Sequence, residues 1–438
     1  MVSTDHVVAD DADPTARRSA VRTGRPHSGS GTVDSGTVDS RTVDDARRWR
    51  RAVGAGLAAY VVSRLCVLAG AAVRASQLTI DARVEGDPEP GTASLVTSVL
   101  TSWDGRWYLE LVRRGYPTDI PPNVTYDDLE ARAAFFPMYP GAVDVFDTVL
   151  PGGDTFAALL LNLILGAVAV VLVGTMARRV FDVRVATRAM FVFAFFPGSF
   201  VLSFAYSEAL LIVFSASCLL LLMDERWLLA GLAAALATAT RPNGIAVVLA
   251  CLVAAAVVVR DRREWRALGA VVLAPLGFVA FQLYVDGVAG ERGAWFRVQS
   301  EAWAEGASFG LTAIRNTFTF VTDPFESPAG ALTALSLVAL VGMGYCAWRR
   351  RLPLPWIAYC AVVIALMLIP ETVTARPRFV FTAFPLFVAV AAWWPEPDPA
   401  TADDRVGWDR AGWDFVLLLS GAGLVGLTGL YAVFGAIP

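Results

Sequence analysis

Long apolar runs separated by short polar breaks make up most of the chain. Many approach the ~20 residues with which a helix crosses ~30 Å of hydrocarbon. The expected spans are 52–73, 155–177, 187–204, 207–223, 227–240, 245–259, 266–285, 329–348, 355–369, 379–394 and 413–434, about eleven in all. A helix satisfies its own backbone in lipid, so the expected fold class is all-α, a polytopic transmembrane helical bundle. The segment 135–150 is apolar but short and carries Pro137, Pro140, Asp144 and Asp147. It is expected to lie re-entrant or at the interface rather than to span.

The polar segments set the expected topology. Residues 1–46 are poor in large apolar side chains and contain a pentapeptide repeat beginning at Gly31, Gly36 and Arg41, which reads as a disordered tail. The segment lacks the apolar core of a signal peptide. Arg47, Arg48, Arg50 and Arg51 abut the first run and place the N-terminus in the cytoplasm. The arginine-bearing breaks at 178–188, 224–226, 260–266 and 349–351 fall on that same side only if 135–150 does not cross. Residues 47–438 then form the membrane domain, with a long first outer loop at 74–154 holding interfacial helices and a second at 286–328. The C-terminus is expected outside.

Composition fits a lipid-solvated chain. Of 438 residues, 56% are hydrophobic and 17% charged, mean hydropathy is +0.54, and no water-soluble domain carries that balance. No nucleic-acid partner is expected. Arginine supplies every basic side chain, since lysine is absent. The five cysteines fall in or beside apolar runs without paired spacing, so neither a disulfide framework nor a CxxC metal site is expected. The only histidines are His6 and His27, in the polar tail. A Ser-His-Asp triad, a Cys-His pair and a histidine-held metal are thereby excluded from the membrane domain. No glycine-rich phosphate loop follows a strand, and no cofactor or metal is expected. Carboxylates, tyrosines or the substrate must supply any acid–base chemistry.

With this topology the polar constellations all fall on the outer side. Trp103-Asp104-Gly105 opens a helical pattern that includes Trp107, Tyr108 and Leu111. By spacing, Asp104 is either the cap of an interfacial helix or a general base facing a membrane-embedded cavity, and the two roles are compatible. Arg241, before Pro242, Asn243 and Gly244, sits between two apolar runs, and Arg376 and Arg378 flank Pro377 beside Glu371. Guanidinium forks match phosphate oxygens, although a basic interfacial rim has the same composition. Trp295, Phe296, Gln299, Trp303, Phe309, Phe318 and Phe320 in 286–328 make either an anchoring belt or a sugar-binding wall.

Taken in order, the pieces resemble the PIG-V family of mannosyltransferases, within the GT-C class of multispan glycosyltransferases. They are Trp103-Asp104 with Tyr108 and Gly115-Tyr116, Phe135-Phe136-Pro137-Met138-Tyr139-Pro140, Tyr206-Ser207-Glu208, Arg241-Pro242-Asn243-Gly244, and Gln299 with Trp303. The resemblance implies a GT-C-like domain and an inverting transfer of mannose from a polyprenyl-phosphate-mannose donor to a lipid- or protein-linked acceptor outside the cytoplasm. It implies Asp104 as catalytic base. As outer-face cations beside apolar runs, Arg241 and at least one of Arg376 and Arg378 are expected on the donor phosphate. Trp103, Tyr108, Tyr139, Tyr206, Glu208, Asn243, Gln299 and Trp303 are the substrate-binding candidates. The first outer loop has no Asp-x-Asp, so no metal is implied. The alternative from another class is a transporter or flippase of lipid-linked substrates, which favours ionisable groups at mid-membrane and inverted repeats.

Overall fold

The computed structural model describes residues 40–86, 91–371, 374–395 and 405–433. Most of the tail expected to be disordered, 1–39, lies outside the described residues. The chain divides into Met1–Asp45, described only as the first turns of a helix from Ser40, and Ala46–Pro438, to which everything below refers.

The described residues are helical apart from loops and an isolated bridge between Ala307 and Pro370. Helix α1 (Ser40–Glu85) enters the bundle. It runs through residues 74–85, where an outer loop is expected from the charges at Arg74, Asp81, Arg83 and Glu85. Short helices α2 (Thr92–Leu100) and α3 (Asp104–Arg114), a 3-10 turn (Leu129–Ala134) and α4 (Met138–Val149) follow. At ~1.5 Å per residue, the 12 residues of α4 reach only about 18 Å, too short to cross hydrocarbon.

The bundle continues with α5 (Gly153–Val180), α6 (Val183–Phe195) with a 3-10 turn (Pro197–Leu202), α7 (Glu208–Met223) and α8 (Trp227–Thr238). A 3-10 turn (Pro242–Ile245) leads into α9 (Ala246–Arg262), and another (Trp265–Ala267) leads into α10 (Leu268–Leu273) and α11 (Leu276–Ala289). Helices α12 (Ala294–Trp303) and α13 (Leu311–Thr322) fill the second polar loop. The chain closes with α14 (Pro328–Arg350), α15 (Leu354–Leu368), α16 (Pro377–Thr382), α17 (Pro385–Trp393) and α18 (Arg405–Tyr431).

Six helical stretches are long and apolar enough to cross a membrane: Val43–Glu85, Gly153–Val180, Pro242–Arg262, Trp265–Ala289, Pro328–Arg350 and Ala411–Tyr431. Three shorter apolar helices are α7, α8 and α15. The other two expected spans, 187–204 and 379–394, are each divided by proline, at Pro197 and Pro385. The chain is thus a multi-pass membrane protein. Apolar residues surround α7, and most of it is buried, as suits a central helix.

Side-chain and backbone contacts tie the helix ends into two groups. At one end Arg179 bonds Asp224, Arg262 pairs with Glu225, Trp227 bonds Glu264, and Arg178 lies over Trp49. At the other, Ala205 bonds Leu100, Met138 bonds Ala239, Ser308 bonds Ile369, and Trp103 bonds Tyr431, all through backbone carbonyls. Arginine-bearing breaks crowd the first end, and the polar constellations crowd the second. Two glycines make the second end possible. A Cβ at Gly244 would stand 2.2 Å from the Ala237 carbonyl oxygen and one at Gly198 2.1 Å from that of Pro377. Their absence lets the turn after Arg241 press on α8, and the turn after α6 press on the residue between Arg376 and Arg378.

Candidate functional site

Asp104 stands in the first turn of α3, and its carboxylate does not cap the helix. Trp103 takes the N-cap position with φ 56° and ψ −118°, a strained conformation for a residue with a Cβ. Its indole Nε1 donates to the Tyr431 carbonyl at 2.7 Å, which fixes the turn against α18. The Asp104 side chain is thereby directed into the protein rather than back along its own helix.

There Asp104 Oδ2 accepts from Arg378 Nη1 at 3.2 Å and from Arg241 Nη1 and Nη2 at 3.4 Å. Arg241 also donates to Ser207 Oγ at 3.2 Å and faces Glu208 Oε1 at 3.1 Å. Glu208 is fully buried in the first turn of α7, where a helix N-terminus favours an anion. Arg378 Nη1 donates to Tyr431 OH at 2.6 Å, and Tyr206 OH lies 3.0 Å from both Tyr431 OH and the Ser102 carbonyl. Asn162 Nδ2 donates to the Tyr206 carbonyl at 2.7 Å and also to that of Phe204, holding the turn that delivers Ser207 and Glu208. Two carboxylates thus balance two guanidinium groups, drawn from four separated segments.

A cavity of about 520 Å³ opens beside this cluster, within the usual range for a small-molecule site. Asp104, Tyr108, Arg241, Asn243 and Arg378 line it. Gln299, Ser300, Trp303 and Glu305 from α12 and its C-terminal loop face them, beside Trp295 and Phe296. Ile245, Leu366, Met367, Ile369 and Phe379 give it an apolar wall. The two polar loops are fastened together above it, since Trp295 Nε1 donates to the Ala134 carbonyl at 2.9 Å and Arg297 to that of Pro121 at 2.9 Å. Tyr108 OH bonds Ser207 Oγ at 2.6 Å, and burial pushes its phenol well above the ordinary range. It is no base at neutral pH.

Of the catalytic, phosphate-binding and substrate-binding candidates, six line the cavity besides Asp104: Tyr108, Arg241, Asn243, Gln299, Trp303 and Arg378, and of the aromatic residues of 286–328 Trp295 and Phe296 also do. Glu208 stands behind Arg241 rather than on the wall. Trp103, Tyr139 and Tyr206 are packing residues here. Tyr139 is fully enclosed against Tyr108, ring centroids 4.9 Å apart. Arg376 is not brought to this cavity but lines a narrow crevice on the other side of Arg378, which borders both. Burial lowers its guanidinium to about 10, so it is still a cation at neutral pH. Ser207 belongs to the Tyr206-Ser207-Glu208 motif but has no role assigned by sequence, and nothing in the sequence points to Glu305 or Tyr431. Tyr431 sits in an apolar run without a motif, and its contacts with Arg378, Tyr206 and Trp103 mark it. Among the described residues no three His, Cys, Asp or Glu side chains gather to hold a metal ion.

Fold and site together define a class: a polytopic helical membrane protein with an enclosed carboxylate–guanidinium cluster at one end of its bundle. Within it, residues 137–284 match the profile of the family described as dolichyl-phosphate-mannose-protein mannosyltransferase. That stretch is a third of the chain and holds Ser207, Glu208 and Arg241 but not Asp104 or Arg378. Comparison with curated proteins gave no match. Among solved structures, ArnT from Cupriavidus metallidurans, bound to undecaprenyl phosphate, is similar at 16% identity and a TM-score of 0.47, over 74% of this chain and 71% of that one. The oligosaccharyltransferase AglB from Archaeoglobus fulgidus, in complex with an inhibitory peptide and a dolichol-phosphate, is similar at 16% identity and a TM-score of 0.42, over 85% of this chain and 56% of that one.

Proposed function

We propose that this chain is a GT-C-type membrane glycosyltransferase that transfers a sugar, mannose by the PIG-V resemblance, from a polyprenyl-phosphate carrier to an acceptor hydroxyl. The observation that carries the reading is the Asp104 carboxylate at the wall of a large cavity, held between Arg241 and Arg378. The matched mannosyltransferase profile supports it independently.

In the reaction, the donor phosphate enters beside Arg241 and Arg378 and competes with Asp104 for their donors. The prenyl chain lies on the wall of Ile245, Leu366, Met367 and Ile369, and the sugar faces Asn243, Gln299 and Trp303. The acceptor oxygen attacks the anomeric carbon from the side opposite the phosphate. The bond from that carbon to the phosphate oxygen breaks, its electron pair stays on the phosphate, and Asp104 takes the hydroxyl proton. The arginines stabilise the leaving charge, and positioning in a water-poor cavity supplies the rest. The acceptor is lipid- or protein-linked. With the arginine-rich ends in the cytoplasm, the site lies on the extracytoplasmic side. The ionisable groups that line the cavity gather at one end of the bundle, and Arg64, inside the first span, is enclosed by hydrogen bonds rather than set along a path, which favours this reading over a transporter.

The test is incubation of purified protein with polyprenyl-phosphate-mannose and a lipid extract, followed by mass analysis. A new hexose-bearing product with release of the polyprenyl phosphate is expected. Movement of intact donor across a proteoliposome bilayer without any product would establish the transporter instead.

A further inference from the structure

Arg64 and Arg376 are both almost fully enclosed, 4% and 3% exposed, and neither forms an ion pair among the described residues. The fold treats them differently. Arg64 Nη1 donates to the Ser199 carbonyl at 2.7 Å and Ser203 Oγ at 3.1 Å, and its Nη2 donates to Ser199 Oγ at 2.8 Å and the Ala194 carbonyl at 3.2 Å. The Tyr60 ring lies under it at 5.0 Å. Arg64 is thus fully solvated by protein. Arg376 has no such cage, because its Nε and Nη1 are buried without a hydrogen-bond partner. Its close charged neighbour is Arg378, of the same sign, and Arg378 is already engaged by Asp104. A buried cation with unsatisfied donors is among the most destabilising arrangements that a fold carries. It calls for an anion that the protein itself does not supply.

The surroundings say what kind of anion. Arg376 lines a crevice walled by Phe200, Leu332, Pro377, Leu427 and Tyr431, with Arg378, whose Nε is likewise buried without a partner, standing between it and the Asp104 cavity. The crevice has room of about 10 Å³, enough for one oxygen-sized group. Leu332 belongs to α14 and Leu427 to α18. Both helices are long and apolar enough to span, and they expose Leu335, Val338 and Val341 on one side and Phe415, Leu418 and Leu419 on the other. Apart from the two arginines and the Tyr431 hydroxyl the crevice lining is apolar, and both helices beside it carry apolar residues at their surfaces, which suits a charge carried on an apolar molecule.

We infer that Arg376 seats the phosphate of a lipid lodged between α14 and α18, at a second site that borders the cavity of Asp104 through Arg378. One phosphate oxygen fills the crevice against the guanidinium, and the acyl or prenyl chains lie along the exposed faces of the two helices. The inference stands apart from the transfer reaction and is tested without turnover.

The full chain is purified in uncharged detergent, stripped of lipid, and its unfolding midpoint is followed with added dioleoylphosphatidylglycerol, dioleoylglycerol, undecaprenyl phosphate or sodium phosphate. Phosphatidylglycerol is expected to raise the midpoint by roughly 2–4 °C more than the phosphate-free dioleoylglycerol. Arg376→Gln should abolish that increment. So should Leu332→Trp, which closes the crevice while keeping the arginine, and which decides the matter if Arg376→Gln does not fold. If the lipid is instead a prenyl carrier, undecaprenyl phosphate gives the increment that Leu332→Trp removes. Stabilisation by undecaprenyl phosphate that survives Leu332→Trp belongs to the Asp104 cavity and counts against the carrier. An equal response of wild type and both variants to every lipid overturns the site, and an equal effect of sodium phosphate alone overturns its lipid character.

Discussion

Asp104 and Arg378 stand 274 residues apart in the chain and meet at 3.2 Å. The same carboxylate oxygen meets Arg241, 137 residues away, at 3.4 Å. One side chain thus joins the first polar loop, the turn between α8 and α9, and the start of α16. Its removal should be felt in folding as well as in chemistry.

The first prediction concerns that contact. Unfolding free energies of Asp104→Asn, Arg378→Gln and the double variant should be non-additive, with a coupling of about 0.5–3 kcal/mol. Strict additivity would mean that the pair does not interact in solution.

The three arginines should separate in donor binding. Arg241→Ala and Arg378→Ala each remove charged donors from the cavity, and each should weaken equilibrium binding of a polyprenyl phosphate by roughly 10- to 100-fold. In a Leu332→Trp background, where the crevice is closed and only the Asp104 cavity is read, Arg376→Ala should leave that affinity unchanged, because Arg376 does not line the cavity. Loss of affinity in Arg376→Ala equal to that in Arg378→Ala would return Arg376 to the donor site.

Glu208 acts through Arg241. Glu208→Gln keeps the shape and leaves Arg241 to pair with Asp104 alone, so donor affinity should fall about tenfold with acceptor KM unchanged. It should also lower stability by about 3–5 kcal/mol, since a buried guanidinium loses half its compensation. A selective rise in acceptor KM would make Glu208 a substrate contact after all.

Topology is open to labelling. In a background lacking the five native cysteines, single cysteines at Thr148 and Arg260 should react from opposite sides of sealed vesicles, because α4 does not span. Reaction of both from the same side is the outcome that overturns the arrangement.

Much of the architecture was legible in sequence, and the residues show why. Apolar runs near spanning length declare themselves, and proline and acid in 135–150 marked α4 as short. The extension of α1 to Glu85 was hidden because charged side chains on a solvated helix look like a loop. At Asp104, an aspartate ahead of an amphipathic helix reads as a cap whichever way it points, and the choice was made by two arginines distant in sequence. Arg376 and Arg378 look equivalent in sequence, but Arg376 is extended before Pro377 and Arg378 is already helical, so both border the crevice and only Arg378 also reaches the Asp104 cavity. Tyr431 carries no motif at all.

The most direct measurement of the account is turnover of Asp104→Asn with polyprenyl-phosphate-mannose, alongside its unfolding midpoint and donor affinity. The variant keeps the size of the side chain and loses the proton acceptor. The account predicts a folded protein that still binds donor and turns over roughly a hundredfold or more slowly than wild type. Near-normal turnover in a folded Asp104→Asn would contradict it and leave Asp104 as a structural partner of Arg241 and Arg378.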